Sequence, residues 1–244
     1  MGARAGDVTD TAKTKTRKQS ARRGPAGSRE AILAAALPRV PFEGFTDAVL
    51  KQAAAEAKVS RESLQRLFPK GPLDLVEAFS EWADAGMARE LARSKLSTLK
   101  VRERIPLAIR ARLAVLRPHK EAARRAAAFL TLPPHAATGM RLLYRTVDAI
   151  WRGLGDTSTD FNFYTKRAIL AGVYSTTLMR WFSDTSEDEE ITNAFLQRRI
   201  DDVMRFEKFK ARVRERAKGF PTLSEILNSG AREPAARRAK AKGR

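Results

Sequence analysis

The chain is predicted to be all-α. Ala, Leu, Arg, Lys and Glu dominate its 244 residues, while Gly (14) and Pro (11) are sparse, a composition of strong helix formers. Runs of β-branched residues are rare, and no segment keeps the strict alternation of a half-buried strand. Apolar residues recur instead at helical spacing, most steadily at Leu196, Ile200, Val203, Phe206, Phe209 and Val213.

Taken in order, the elements have readable starts and stops. Residues 1–27 are polar, basic and free of aromatics, as in a disordered tail. Asp7, Asp10 and the lack of an apolar face argue against a transit peptide there. Ser28 is a plausible N-cap for a helix carrying Ile32, Leu33, Ala36 and Leu37 and stopped by Pro38. A second helix is expected from Thr46 to Ala57, with Val49, Leu50, Ala53 and Ala54 inward. Ser60 can cap a third that ends at Pro69-Lys70-Gly71-Pro72, and a long fourth runs from Leu73 to about Ser94. Further helices are expected near 100–116, 119–132, 136–154, 160–182 and 189–217, punctuated by Pro106, Pro118 and Pro133-Pro134.

Charge is unevenly spread. The total of +19 divides into +5 over residues 1–28, −1 over 29–82, +11 over 83–219 and +4 over 220–244. A basic protein can meet nucleic acid or an anionic membrane. Residues 83–125 hold 12 cations and four anions. That run, from Arg89 through Arg112, Lys120 and Arg125, reads either as a solvated helical face or as a membrane contact. No cysteine is present, which excludes disulfide and thiol chemistry. The longest apolar stretches, such as Ala126–Leu132, fall far short of the roughly 20 residues that a membrane-spanning helix requires.

Three short helices and a long fourth have the plan of the TetR DNA-binding head, a helix-turn-helix variant. As a DNA reader, the helix at 60–68 would offer Arg61, Glu62, Gln65 and Arg66 to a groove. Glu62 would face phosphates, and a near-neutral head lacks the cations that supply backbone affinity. The head therefore reads as scaffold, and DNA binding is not expected.

The most informative string is Gly155-Asp156-Thr157-Ser158-Thr159-Asp160-Phe161-Asn162-Phe163-Tyr164-Thr165-Lys166-Arg167-Ala168. Ser158 or Thr159 can cap the helix that follows, and Asp160 suits its positive end. Phe163, Tyr164 and Arg167 then share a face, aromatics beside a cation. This string, with the Leu132-Pro133-Pro134-His135 step and the apolar helix ending in Trp151, closely resembles the lipid-binding ubiquinone (coenzyme Q) biosynthesis accessory proteins, a family with a TetR-like fold. The resemblance covers about residues 28–219 and is strongest at 133–182.

Composition and that resemblance together divide the chain into a basic tail at 1–27, a helix-turn-helix-like head at 28–82, a helical lipid-binding body, as the resemblance implies, at 83–219, and a short amphipathic segment with a basic tail at 220–244. It implies a cavity for an isoprenoid quinone precursor or a phospholipid, walled by Trp151, Phe161, Ile169, Leu170, Tyr174, Leu178 and Trp181. Arg167 would hold the lipid head group, with Lys166 a second available cation. Phe163, Tyr164 and Arg167 would form a patch for a partner, a di-iron demethoxyubiquinone hydroxylase; Phe163 stands where the family often has Trp. Leu223, Ile226 and Leu227 offer about two turns for a weak membrane contact. A homodimer is the expected assembly.

No catalytic constellation is visible. There is no Gly-x-Ser-x-Gly elbow, phosphate-binding Gly loop or His-Glu-x-x-His. His119 and His135 lack partners at metal-ligand spacing and read as packing or helix-start residues, and the acidic run Asp184–Glu190 suits the start of the last helix. The expectation is a non-enzymatic protein with no metal and no cofactor besides bound lipid. It would lie in a bacterial cytoplasm, peripheral to the inner membrane, or alternatively on the matrix side of the mitochondrial inner membrane. A TetR-type transcriptional regulator sensing an apolar ligand is the second reading.

Overall fold

Side-chain caps start three helices of the head close to where the sequence places them. The computed structural model describes residues 28–156 and 161–218. Among these the secondary structure is helical, with no strand. Helix α1 (Arg29–Ala36) is capped by Ser28, whose Oγ accepts the Ala31 N–H at 3.2 Å. A four-residue turn of helix, α2 (Val40–Glu43), follows; Pro38 ends α1 but does not prevent this turn, which the periodicity did not predict. Thr46 caps α3 (Asp47–Glu56) and Ser60 caps α4 (Arg61–Leu67), each through its side-chain oxygen. Arg29 stitches the head together: it donates to the carbonyls of Leu67 and Asp74 and lies over the Phe68 ring.

Helix α5 (Pro72–Arg93) runs without interruption across the expected head–body boundary at 82/83. It packs on α1 and α3 on the head side, and on α6 (Val101–Leu116) and α8 (Ala136–Gly153) on the body side. Head and body therefore share one helix, and residues up to Gln197 fall in a single compact unit. The second unit begins at Arg198, within the last helix. The expected four-part division is corrected accordingly: a shared 22-residue helix leaves no linker at which head and body could part.

The body is completed by α7 (Lys120–Thr131), α9 (Phe161–Phe182) and the first turns of α10 (Glu190–Lys218). Helix α8 lies at its centre, against α5, α6, α7 and α9. Its buried stripe, Leu142, Thr146, Val147, Ile150 and Trp151, repeats at helical spacing. Two close approaches depend on glycine. A Cβ on Gly86 of α5 would fall 2.7 Å from Val115 of α6, and one on Gly139 of α8 would fall 3.1 Å from the Leu130 carbonyl oxygen of α7. Pro106, expected to punctuate, lies buried inside α6 without ending it. No helix among the described residues is long and apolar enough to cross a membrane. The tails and Leu223, Ile226 and Leu227 lie outside the described residues.

The turn from α9 to α10 is fastened by carboxylates. Asp184 is buried and accepts from the Ser186 and Thr192 amides at 2.8 and 2.7 Å and from both hydroxyls at 2.5 Å. Glu189 accepts the Trp181 indole N–H at 2.7 Å and a bidentate pair from Arg117 at 2.9 Å. Lys120 donates to the Asp184 carbonyl at 2.6 Å and lies over the Trp181 ring.

Desolvation alone would raise the Asp184 pKa, but the hydrogen bonds from Ser186 and Thr192 outweigh it and hold the carboxyl far below the usual carboxylate range. A depressed carboxyl contributes stability above its unfolded pKa of about 4, and that stability is lost as pH falls. Asp184→Asn should therefore cost about 1–3 kcal/mol at pH 7. The gap from wild type should narrow below about pH 4, as read from urea melts at several pH values.

Candidate functional site

Five helices enclose a cavity of about 490 Å³ between α5, α6, α7, α8 and α9. This lies within the range of roughly 300–1,000 Å³ typical of small-molecule sites. Space exists because α7 presents Ala123, Ala126 and Ala127, and α8 presents Gly139, where larger side chains would fill it. Val76, Phe79, Leu116, Leu130, Leu142, Leu143 and Leu178 supply apolar wall. Met140 and Met179, 66% and 64% exposed, stand at the mouth.

One end of the cavity is polar. Arg112 of α6, 5% exposed, donates through Nε to Asp84 of α5 at 2.7 Å. Its Nη2 donates to Ser80 at 3.2 Å and Thr146 at 3.3 Å, and its Nη1 donates to the Tyr174 hydroxyl. Thr146 of α8 donates to the same Asp84 carboxylate at 3.1 Å. Arg112, Ser80, Thr146 and Tyr174 all line the cavity, with Asp84 behind them. Burial disfavours a charged Arg112, but Tyr174 and Asp84 outweigh that and raise its pKa, so it stays a cation. Burial likewise raises the Tyr174 phenol, which stays protonated.

Of the residues expected to wall a lipid cavity, Tyr174 and Leu178 line this space. Trp151, Leu170 and Trp181 are buried but do not line it, and Ile169 is half-buried elsewhere on α9. Their positions are corrected: α9 turns one stripe to the cavity and another to ordinary core, because only one face of a helix can meet a given space. The Phe161 side chain lies outside what the structure describes, as do Ser158, Thr159 and Asp160.

Arg167 departs furthest from expectation. It is 3% exposed and does not line the cavity. Its Nε and Nη2 reach Asp148 of α8 at 2.9 and 2.8 Å, its Nη1 reaches Asp156 at 3.5 Å, and the Phe163 ring lies 3.4 Å from the guanidinium carbon. Lys166 pairs with Asp156 at 3.1 Å and lies over Trp151. Both cations are held by carboxylates, so neither is disposed to take a head group. The partner patch is corrected in the same way: Tyr164 is 67% exposed and Phe163 half-buried, their rings edge to face at 5.1 Å, while Arg167 lies beneath as a post.

Sequence reasoning placed Arg112 in the basic run as one cation among 12. Only its spacing within α6 hinted otherwise: Ala108, Ile109, Ala111, Leu113 and Leu116 around it are all buried. Lys120 likewise turns inward, whereas Arg89, Arg93, Arg110 and Arg124 are exposed. Among the described residues no group of three His, Asp or Glu is disposed to hold a metal. His135 stacks on Phe129 at 4.3 Å and His119 meets Trp82 edge to face, both as packing residues.

A helix-turn-helix-like head joined by one helix to an all-α body is the fold of the TetR-like proteins. The chain superposes on the TetR transcriptional regulator from Nitrosomonas europaea ATCC 19718 with a TM-score of 0.57 and 21% identity, over 71% of this chain and 95% of that one. Residues 136–207, which hold α8, the Phe163–Arg167 patch and Tyr174, match the COQ9 family. The human mitochondrial ubiquinone biosynthesis protein COQ9 is 35% identical over 180 residues, 71% of this chain and 56% of its own length. The rat protein of the same name is 36% identical, over 71% and 57%. The chain is thus similar to the COQ9 proteins, which their names place in ubiquinone biosynthesis. It spans somewhat more than half the length of the curated relatives it matches.

Removing the buried Arg167 guanidinium leaves Asp148 to Arg152 and Asp156 to Lys166, both more exposed cations, so Arg167→Ala should destabilise the protein by about 1–3 kcal/mol. Tyr164→Ala, at the surface, should stay within about 0.5 kcal/mol of wild type. Thermal or urea unfolding of the two variants distinguishes a post from a surface contact.

Proposed function

We propose that the protein acts in ubiquinone biosynthesis as a non-catalytic lipid-binding protein. It takes an isoprenoid quinone precursor, or a phospholipid, from the membrane surface and passes it to the di-iron demethoxyubiquinone hydroxylase. The observation that carries this reading is the apolar cavity of about 490 Å³ between α5 and α9, of a size and lining suited to a lipidic ligand. Burial of apolar surface at roughly 25 cal/mol per Å² makes extraction feasible without covalent chemistry. The exposed Tyr164 and the half-buried Phe163 are the contact proposed for the hydroxylase, since aromatic anchors dominate protein interfaces. A homodimer, with Leu223, Ile226 and Leu227 at the membrane, completes the proposal.

The relatives are mitochondrial by name, which supports the matrix side of the inner membrane. The bacterial cytoplasm expected from composition draws no support from those names. A second reading, a TetR-type regulator sensing an apolar ligand, is favoured by the fold neighbour and by the exposure of Arg61, Glu62, Gln65 and Arg66 on α4. The −1 charge of residues 29–82 opposes it. A sequence-specific operator footprint with steep salt dependence would establish this second reading.

Ala127→Trp fills the cavity from α7 and should reduce co-purified lipid to below about a tenth of the wild-type level. Lipid retained in full would refute the cavity as the binding site. Phe163→Ala with Tyr164→Ala should keep the lipid and lose co-purification of the hydroxylase; retained hydroxylase would refute the patch.

A further inference from the structure

The proposed reading leaves open which end of a ligand enters the cavity and what recognises it. Arg112, Thr146 and Tyr174 are each at most 5% exposed, whereas Met140 and Met179 at the mouth are largely exposed. The polar cluster therefore lies at the closed end. Its hydrogen-bond accounting is one-sided. Asp84 is taken up by Arg112 and Thr146, and the Thr146 proton goes to Asp84. The Tyr174 and Ser80 hydroxyls each accept from Arg112, which leaves their own protons available to a ligand acceptor. Tyr174 is buried and Ser80 half-buried, and a buried donor is costly unless it is met by an acceptor.

We propose that this end is a head-group subsite: Tyr174 and Arg112, with Ser80 beside them, donate to an uncharged acceptor oxygen, a ring carbonyl or ether, of a quinone-type ligand entering head first. The inference rests on the proposed lipid-binding role of the cavity. Charge decides between classes of head group. Arg112 and Asp84 cancel formally, so a neutral oxygen meets free donors at no net charge. A phosphate would bring an uncompensated negative charge into an apolar space. The tail then lies along α7 and α8 and leaves between Met140 and Met179. Passing the ligand on involves release through that mouth, with the head shielded until then.

The test compares three ligands on the full-length protein by equilibrium dialysis: a benzoquinone with a ten-carbon tail, decylbenzene, which keeps ring and tail without the oxygens, and decyl phosphate. The quinone should bind about five- to tenfold more tightly than decylbenzene, the value of about one hydrogen bond, and more tightly than decyl phosphate. Tyr174→Phe, which keeps the ring, should bring the ratio of quinone to decylbenzene affinity toward one. Equal binding of quinone and decylbenzene by wild type would overturn the subsite while leaving the cavity reading intact. Tightest binding of decyl phosphate would overturn the preference for a neutral acceptor. Failure of all three to bind would refute the cavity reading, and the subsite with it. The wild-type comparison stands even if the variant fails to fold.

Discussion

The body of this protein is organised around one buried ion pair. Arg112 and Asp84 face each other across α5 and α6, and the hydroxyls around them bring in α8 through Thr146 and α9 through Tyr174. An isolated buried charge would cost several kcal/mol, so the pair holds only while every partner keeps its place. That requirement fixes the register of four helices against one another. It also keeps polar groups at the end of a space that the alanines of α7 leave unfilled. The close approach of α5 and α6 at Gly86 brings the two charged residues within reach. Cavity, polar end and helix packing are thus consequences of one arrangement.

A second set of ion pairs performs a related task at the C-terminal end of α8 and just beyond it, two residues on from Thr146. Asp148 and Asp156 receive Arg167 and Lys166 from the first turns of α9. The buried guanidinium supports the Phe163 ring, which in turn meets Tyr164 edge to face. An exposed aromatic held by a rigid support loses little side-chain freedom on contact, which is what an interface anchor requires. Helix α9 both lines the cavity, through Tyr174 and Leu178, and carries Phe163 and Tyr164.

Much of the fold was legible because its signals are local. Ser28 and Ser60 were readable as caps, each three residues from the amide it accepts, and Thr46, expected as the first residue of its helix, caps it in the same way. The helix bounds followed from prolines and apolar spacing. The site was less legible because its partners are distant. Arg112 meets Asp84 28 positions away and Tyr174 62 positions away, and no local pattern distinguishes it from the cations around it. Arg167 was expected to hold a head group and to join the aromatic patch because the family resemblance implied both. Its burial depends on Asp148, 19 residues earlier on another helix. Residue type showed that cations and aromatics are present; which of them face solvent is decided by packing.

The central claim is that the space closed by the Arg112–Asp84 pair is a lipid site and not a packing defect. Its most direct test is mass spectrometry of organic extracts from the protein purified in the presence of intact membranes, beside a similarly basic control protein. The account predicts a near-stoichiometric isoprenoid quinone or phospholipid in the protein and none in the control. An empty protein, or equal lipid in both, would contradict it.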